Sequence, residues 1–329
     1  MGGGVTRDVS TFDDGVRSPA NDRRSSASPR PLPPPPRDRV AIPPFRSPDR
    51  CAIGWGRGFV AWLALLLAAC GPQIGDLEKG ETGRVVRVSN GDTLELESGL
   101  RVFLAEIDAP RGEAAYAGQS QGELEALALH RPVQLAYGGQ RRWTPRPRPG
   151  ETETPRETAI AHVFVQSEGG RWFWLQHELV SRGAAFVRPR RDNHQRAEEL
   201  VALEDAARAG ERGLWARREY RVLNTSAASD QALAADVNCF NGAAPWRVIE
   251  AEVSDAYSGA SRAALTLEGG AEATPFTVVV FGDSFAAWDG PSLAALNGAK
   301  IRARGPLGMF RGQPQLCLDH SSQLDVITE

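Results

Sequence analysis

The period of apolar positions changes several times along this chain, and each change predicts an element. VVRV at residues 85–88 and TLEL at 93–96 read as strands. Between them Asn90, Gly91 and Asp92 supply the residue types of a tight hairpin turn. Glu97, Ser98 and Gly99 make a second turn into RVFLA at 101–105, a strand that runs out at Ile107, Asp108, Ala109 and Pro110. The spacing then lengthens, and residues 122–130 take on a helical pattern. Residues 133–136 and 161–165 return to strand. Residues 175–182 and 195–208 are helical, the second stopped by Gly210 and Gly213. Strands first with helices concentrated late predict an α+β domain, a small closed barrel carrying packed helices, over residues 82–217. From residue 239 onward the pattern is almost wholly β. Strands at 248–253, 263–267, 276–281, 301–305 and 315–318 are separated by Gly, Ser and Asp, with one short helix at 292–297. Five strands with a helix between the third and fourth is the order of an OB-type barrel.

The first part of the chain has no such periodicity. Residues 1–50 hold ten of the 23 prolines, with many Ser and Arg, a composition that cannot bury enough surface to offset ordering entropy. The segment is read either as disordered or as untranslated, with the true start further on, for instance at the codon of Val40. Residues 51–69 then form an export signal: Arg57, an apolar run over 59–67, and small residues before a cleavage point. The run is shorter than the ~20 residues that span a bilayer. Leu67, Ala68, Ala69 and Cys70 resemble a bacterial lipobox. That resemblance implies cleavage before Cys70 and acylation of its thiol and new amine. Each buried CH₂ contributes about 0.8 kcal/mol, so the anchor is effectively permanent. Gly71 rather than Asp after the cysteine resembles outer-membrane sorting. An ordinary cleaved signal, or an uncleaved anchor with a chance cysteine, is the other reading. Residues 70–81 and 218–238 are read as linkers on either side of the first domain.

Removing the leader changes the charge. The whole chain has 38 Lys and Arg against 41 Asp and Glu, a formal −3. From Cys70 onward the counts are 28 and 35, or about −7. Binding of nucleic acid through bulk positive charge is therefore excluded, leaving only local basic sites. Four cysteines are present. With Cys51 in the leader and Cys70 the lipidation site, Cys239 and Cys317 remain, and no Cys/His spacing suggests zinc. In an oxidising envelope compartment a disulfide between them closes the second barrel. Two separate buried thiols are the other possibility.

The chemistry centres on Asp92 and Asp108, each at a strand end in a turn. Two carboxylates converging at a barrel rim suit a hard cation such as Ca²⁺ or Mg²⁺, although Asp beside Gly also serves turn geometry alone. Four blocks in order carry a resemblance: Val88 to Thr93 (VSNGDT), Leu104 to Pro110 (LAEIDAP), "LQHELVSRGAAF" at 175–186, and 198–215 ending in Arg212, Gly213, Leu214 and Trp215. Residues 82–217 are similar to the thermonuclease, or staphylococcal-nuclease-like, family. The resemblance implies a five-stranded OB-type barrel with three helices and Ca²⁺-dependent hydrolysis of DNA and RNA. It places the metal on Asp92, Asp108 and the carbonyl of Ala109. It also requires a Glu to handle water and two Arg to clamp phosphate, and these positions hold Arg111, Phe103 and Thr158. Losing even one transition-state donor typically costs about 2.7–4 kcal/mol. Arg101 shares the strand face of Phe103 but stands about 7 Å further along. Glu113 and Arg156 are the other candidate substitutes.

Residues 143–155 insert a proline-rich loop beside Arg141 and Arg142. Its Arg146 and Arg148 could track a phosphate backbone, or be balanced by Glu151, Glu153 and Glu157 in a solvated loop. In the second domain Trp246, Tyr257, Phe276, Phe281, Phe285, Trp288 and Phe310 are accompanied by few Lys or Arg; the Phe residues on strands, and Trp246 where a strand begins, read as core. Its final strands are similar to OB-like modules that follow thermonuclease domains in some bacterial envelope proteins. Taken together, the readings predict a lipoprotein with a decayed nuclease site that binds single-stranded nucleic acid or another envelope ligand. The alternative is a working Ca²⁺-dependent endonuclease using Arg101, Arg156 and Glu113.

Overall fold

A computed structural model describes residues 72–144, 157–240, 244–269 and 274–328, all within the unit Leu67–Glu329. The leader, Cys70, Arg156 and most of the proline-rich insertion lie outside the described residues. The first half comprises β1 (Glu78–Asn90), β2 (Thr93–Leu96), β3 (Arg101–Leu104), β4 (Ile107–Asp108), α1 (Ala117–Ala128), β5 (Pro132–Tyr137), β6 (Arg142–Trp143), β7 (Thr158–Gln166), β8 (Trp172–Trp174), α2 (Leu175–Ser181), β9 (Phe186–Val187) and α3 (Ala197–Ala209). Pairing runs β1 to β2 to β3, then parallel to β7, back to β5 and so to β1, closing a ring. The inward side chains of that ring, among them Val85, Leu94, Val102, Leu135 and Val163, meet Leu175 and Leu179 of α2 and Leu200 of α3 in one core. α3 follows dipole chemistry, with Glu198 and Glu199 in its first turn and Arg208 in its last.

The second half comprises α4 (Thr225–Ala235), β10 (Trp246–Ser258), β11 (Arg262–Leu267), β12 (Thr277–Phe281), α5 (Gly282–Ala286), β13 (Lys300–Phe310), β14 (Gln313–Leu318) and β15 (Leu324–Val326). Here too the pairings return to their start, through β10, β11, β12, β14, β13 and back to β10. The fold is thus mixed α+β, with the β-rich second region expected. Residues 225–235, read as part of a linker, form α4. Asn224 caps it by accepting from the Ala227 N–H at 2.9 Å, and Ala228 and Ala232 enter the second core. The helix expected at 292–297 is corrected. Only a three-residue 3₁₀ turn, Leu293–Ala295, fits between Ser292, which makes no capping bond, and Gly298 at φ +74°. The helical turn between the third and fourth long strands of this half is α5 instead. Cys239 and Cys317 are joined, their Cα atoms 5.9 Å apart.

The two halves meet through an apolar cluster that includes Phe186, Trp215, Trp246 and Val248, and through charge. Arg304 of β13 has no exposed surface, and its guanidinium faces Glu204 of α3 at 3.3 Å, Asp205 at 3.2 Å and Asp325 at 2.7 Å. Burial raises the Glu204 carboxyl above its ordinary range while Arg304 opposes that rise. Glu204 also accepts the Val187 N–H at 2.7 Å, so a residue of the second sheet braces β9 of the first half.

Candidate phosphate-binding pocket

Asp92 stands in the turn after β1. The turn must be tight, because a Cβ on Gly91 would lie 2.6 Å from the Ser120 Cβ and 2.7 Å from the Ala109 Cβ. Asn90 shapes it by accepting the Asp92 N–H at 3.1 Å. Pressed in this way, Asp92 is only 2% exposed. Its carboxylate accepts from the Thr93 hydroxyl at 2.8 Å and from the Ala109 N–H at 3.0 Å. Burial pushes its pKa from 3.8 to about 6. Arg111 pulls it down and Asp108 adds to the rise.

Asp108 is positioned by a strand pair too short to show any sequence period: β4 pairs antiparallel with β9, Ile107 opposite Val187 and Asp108 opposite Phe186. The chain leaving β9 delivers Arg188, whose Nη1 donates to Asp108 Oδ2 at 2.5 Å. Glu106 precedes this pair at φ +63°, a costly backbone for a non-glycine residue. It is anchored by the His162 ring at 3.2 Å and by the Arg196 N–H at 3.1 Å.

Arg111 lies between the two aspartates. Its Nη2 is 2.5 Å from Asp92 Oδ2 and 3.1 Å from Asp108 Oδ1. The resemblance assigned a cation to these two carboxylates, and a guanidinium spans them instead. Ala109 contributes its N–H to Asp92. A Ca²⁺ ion takes six to eight oxygen ligands. Here the facing oxygens already accept from arginine, and among the described residues no group of three or more His, Cys, Asp or Glu is placed to hold a metal ion. This donor set does not fit Ca²⁺.

The aspartates open into a cavity of about 280 Å³ whose wall includes Phe103, Trp143, Arg111, Arg188 and Arg190. Phe103 packs against Trp143 with ring centroids 5.7 Å apart, so the position expected to hold a phosphate clamp is an aromatic wall. Arg101 does not line the cavity; its guanidinium lies over the Phe103 ring at 5.3 Å. Thr158 is buried opposite Arg101 in the β3–β7 register. Glu113 is exposed in the following loop and does not line the cavity. Arg156 lies outside the described residues. Neither Arg101 nor Glu113 therefore joins the aspartates. The cations that do join them are Arg111, at the position expected to hold a glutamate, and Arg188. Arg190 lies on the same wall. The run Arg188, Pro189, Arg190, Arg191 was visible in the sequence as a basic cluster just past a helix-bounded apolar segment. What the sequence did not show was that a two-residue strand would aim it at Asp108.

The fold and this acidic pair at a strand-ring rim define a nuclease-like α+β domain. Residues 101–217 match the family described as Staphylococcal nuclease homologue, and this part of the chain is a staphylococcal-nuclease-like domain. A curated relative from Haemophilus influenzae, named "Uncharacterized endonuclease", is 30% identical over 110 residues, covering 32% of this chain and 52% of its own length. The chain thus spans about half the length of that relative. The family match begins at Arg101, so Asp92 falls outside it, although β1 and β2 belong to the same ring of strands.

Proposed function

We propose that this protein is an envelope-anchored nucleic-acid-binding module. Its nuclease-like pocket holds a phosphodiester on arginines and does not hydrolyse it. The observation that carries the reading is the Arg111 guanidinium spanning Asp92 and Asp108. A guanidinium supplies positive charge and bidentate donors suited to phosphate. It does not lower the pKa of a bound water as a catalytic metal does. Binding is retained and the nucleophile is not generated. Each ring of strands is read here as an OB-type barrel, an architecture that presents one rim to oligonucleotides. With the chain near −7 beyond Cys70, the negative remainder of the surface repels polyanions and confines them to the arginine pocket.

The test uses mature full-length protein, 5′-labelled single-stranded DNA, and either Ca²⁺ or a chelator. The expected result is salt-sensitive retention that the chelator leaves unchanged, with no cleavage in either condition. Ca²⁺-dependent cleavage lost in Asp92→Ala would establish the endonuclease alternative. The anchor is tested separately: metabolic labelling with a fatty acid should mark the wild type and not Cys70→Ser, and the label should fractionate with outer membrane.

A further inference from the structure

Arg188 and Arg190 line a second cavity as well as the first. It measures about 410 Å³ and is bounded on its far side by Phe240, Phe281, Asp283 and Asp319. Arg188 itself connects the two: its guanidinium donates to Asp108 on one side and lies 5.3 Å over the Trp246 ring at the start of β10 on the other. Phe240 is 67% exposed, the largest exposure among the large apolar residues described, and its ring centroid is 5.8 Å from that of Phe281. An exposed aromatic of this kind is usually mobile. This one is held, because Cys239 beside it is bonded to Cys317, and Asn238 accepts the Phe240 N–H at 3.0 Å.

The two cavities differ in chemistry. The first offers arginine donors against a pair of carboxylates. In the second Arg191 pairs with Asp283 at 2.9 Å, Asp319 accepts from the Ser284 hydroxyl at 3.3 Å, and the rings of Phe240 and Phe281 stand beside them, so the wall combines donors, acceptors and aromatic faces. Those are the complements of base edges and base faces. A duplex keeps its bases stacked and paired, whereas a single strand can turn them out. We infer that single-stranded nucleic acid crosses from the arginine pocket onto the second domain, where a base stacks on the Phe240 and Phe281 step. The inference rests on the proposed function and adds to it a second contact region, on the Phe240 and Phe281 step.

Fluorescence anisotropy on mature full-length protein tests it, with a labelled oligothymidylate of about 16 nucleotides, the upper site size of one OB barrel, and a hairpin duplex of similar length. Base stacking on an aromatic is worth about 1–3 kcal/mol, so Phe240→Ala should weaken single-strand binding roughly 5- to 150-fold. Phe240→Tyr should restore it, and duplex binding, weaker throughout, should not change. Phe240 is exposed, so Phe240→Ala should fold, and an unchanged thermal midpoint checks that. Equal affinity for duplex and single strand, or unchanged single-strand affinity in Phe240→Ala, overturns the inference. The proposed function stands in that case if Arg188→Ala still abolishes salt-sensitive binding. Wild-type protein that retains neither oligonucleotide overturns both.

Discussion

Replacing Asp92 by Asn isolates the energetic cost of the acidic pair. The carboxyl lies almost wholly out of solvent, and its pKa is raised from 3.8 to about 6. A group whose folded pKa exceeds its unfolded value stabilises fully below the unfolded value, and that contribution is lost as pH rises through the folded one. The window here is therefore about pH 4 to 6. At 1.36 kcal/mol per pH unit the displacement corresponds to about 3 kcal/mol of stability given up on ionisation. Asn keeps an oxygen for the Ala109 N–H and cannot ionise. The measurement is urea unfolding of both proteins at intervals from pH 4 to 7.5, compared as the difference between them. All other titrating groups are shared, so they largely cancel. The variant should be the less stable at pH 4, where it has lost a well-bonded neutral carboxyl. It should then gain on the wild type by about 3 kcal/mol by pH 7. The figure already includes the opposing pull of Arg111, which is modest because half its side chain is in water and its pairing is partly screened. A difference that stays flat across the window would refute the argument, because Asp92 would then titrate alike in the folded and unfolded chains.

Arg111→Ala should make the protein respond to Ca²⁺. With the guanidinium gone the two carboxylates face one another, and the ion should raise the thermal midpoint of the variant but not of the wild type. At ten times the dissociation constant the stabilisation is about 1.4 kcal/mol. Arg304→Ala should cost about 3–5 kcal/mol in denaturant unfolding, because it leaves Glu204 buried without its partner, whereas Arg304→Met together with Glu204→Gln should cost much less. Opening the Cys239–Cys317 bond, which spans 78 residues of sequence, should lower stability by about 4–5 kcal/mol on the chain-entropy account, read by unfolding with and without reductant.

The long elements were legible because their side-chain period was. β2 and β3 alternate, α3 keeps helical spacing and dipole-matched ends, and the long strands of the second half follow their β-branched runs. The elements that escaped are those with no room for a period. β4 and β9 are two residues each, and they position the site. α4 was hidden because its apolar face is built from alanines, which mark a helix weakly against a Ser-rich background. The aromatics of the second half divide as packing dictates. Phe276 and Trp246 are buried, Tyr257 and Phe310 are exposed, and the most exposed, Phe240, sits outside any strand. In the site, the sequence singled out Asp92 and Asp108, and the resemblance marked the departures at Phe103, Arg111 and Thr158. It treated Arg111 only as the loss of a glutamate. That Arg111 joins the two aspartates depends on side-chain direction after Pro110, which no local pattern encodes.

One substitution therefore changes two properties together. A dissociable cation between two aspartates needs their full negative charge and must be recruited from solution. A guanidinium fixed to the chain at Arg111 is present at every ion concentration, and both carboxylates are committed to it and to Arg188. Under the proposed function, the charge presented to a phosphodiester is then set by the fold and not by the supply of Ca²⁺. The proposed loss of hydrolysis follows from the same exchange, because a guanidinium stays protonated and cannot hold a hydroxide for in-line attack. Arg188 adds a further constraint. It is aimed by β9, and β9 is held by Glu204, which Arg304 of β13 faces. The second half of the chain thus bears on the pocket from behind, through Arg304. Weakening the Arg304 cluster, even where the protein stays folded, should loosen phosphate binding before it affects the strand ring itself.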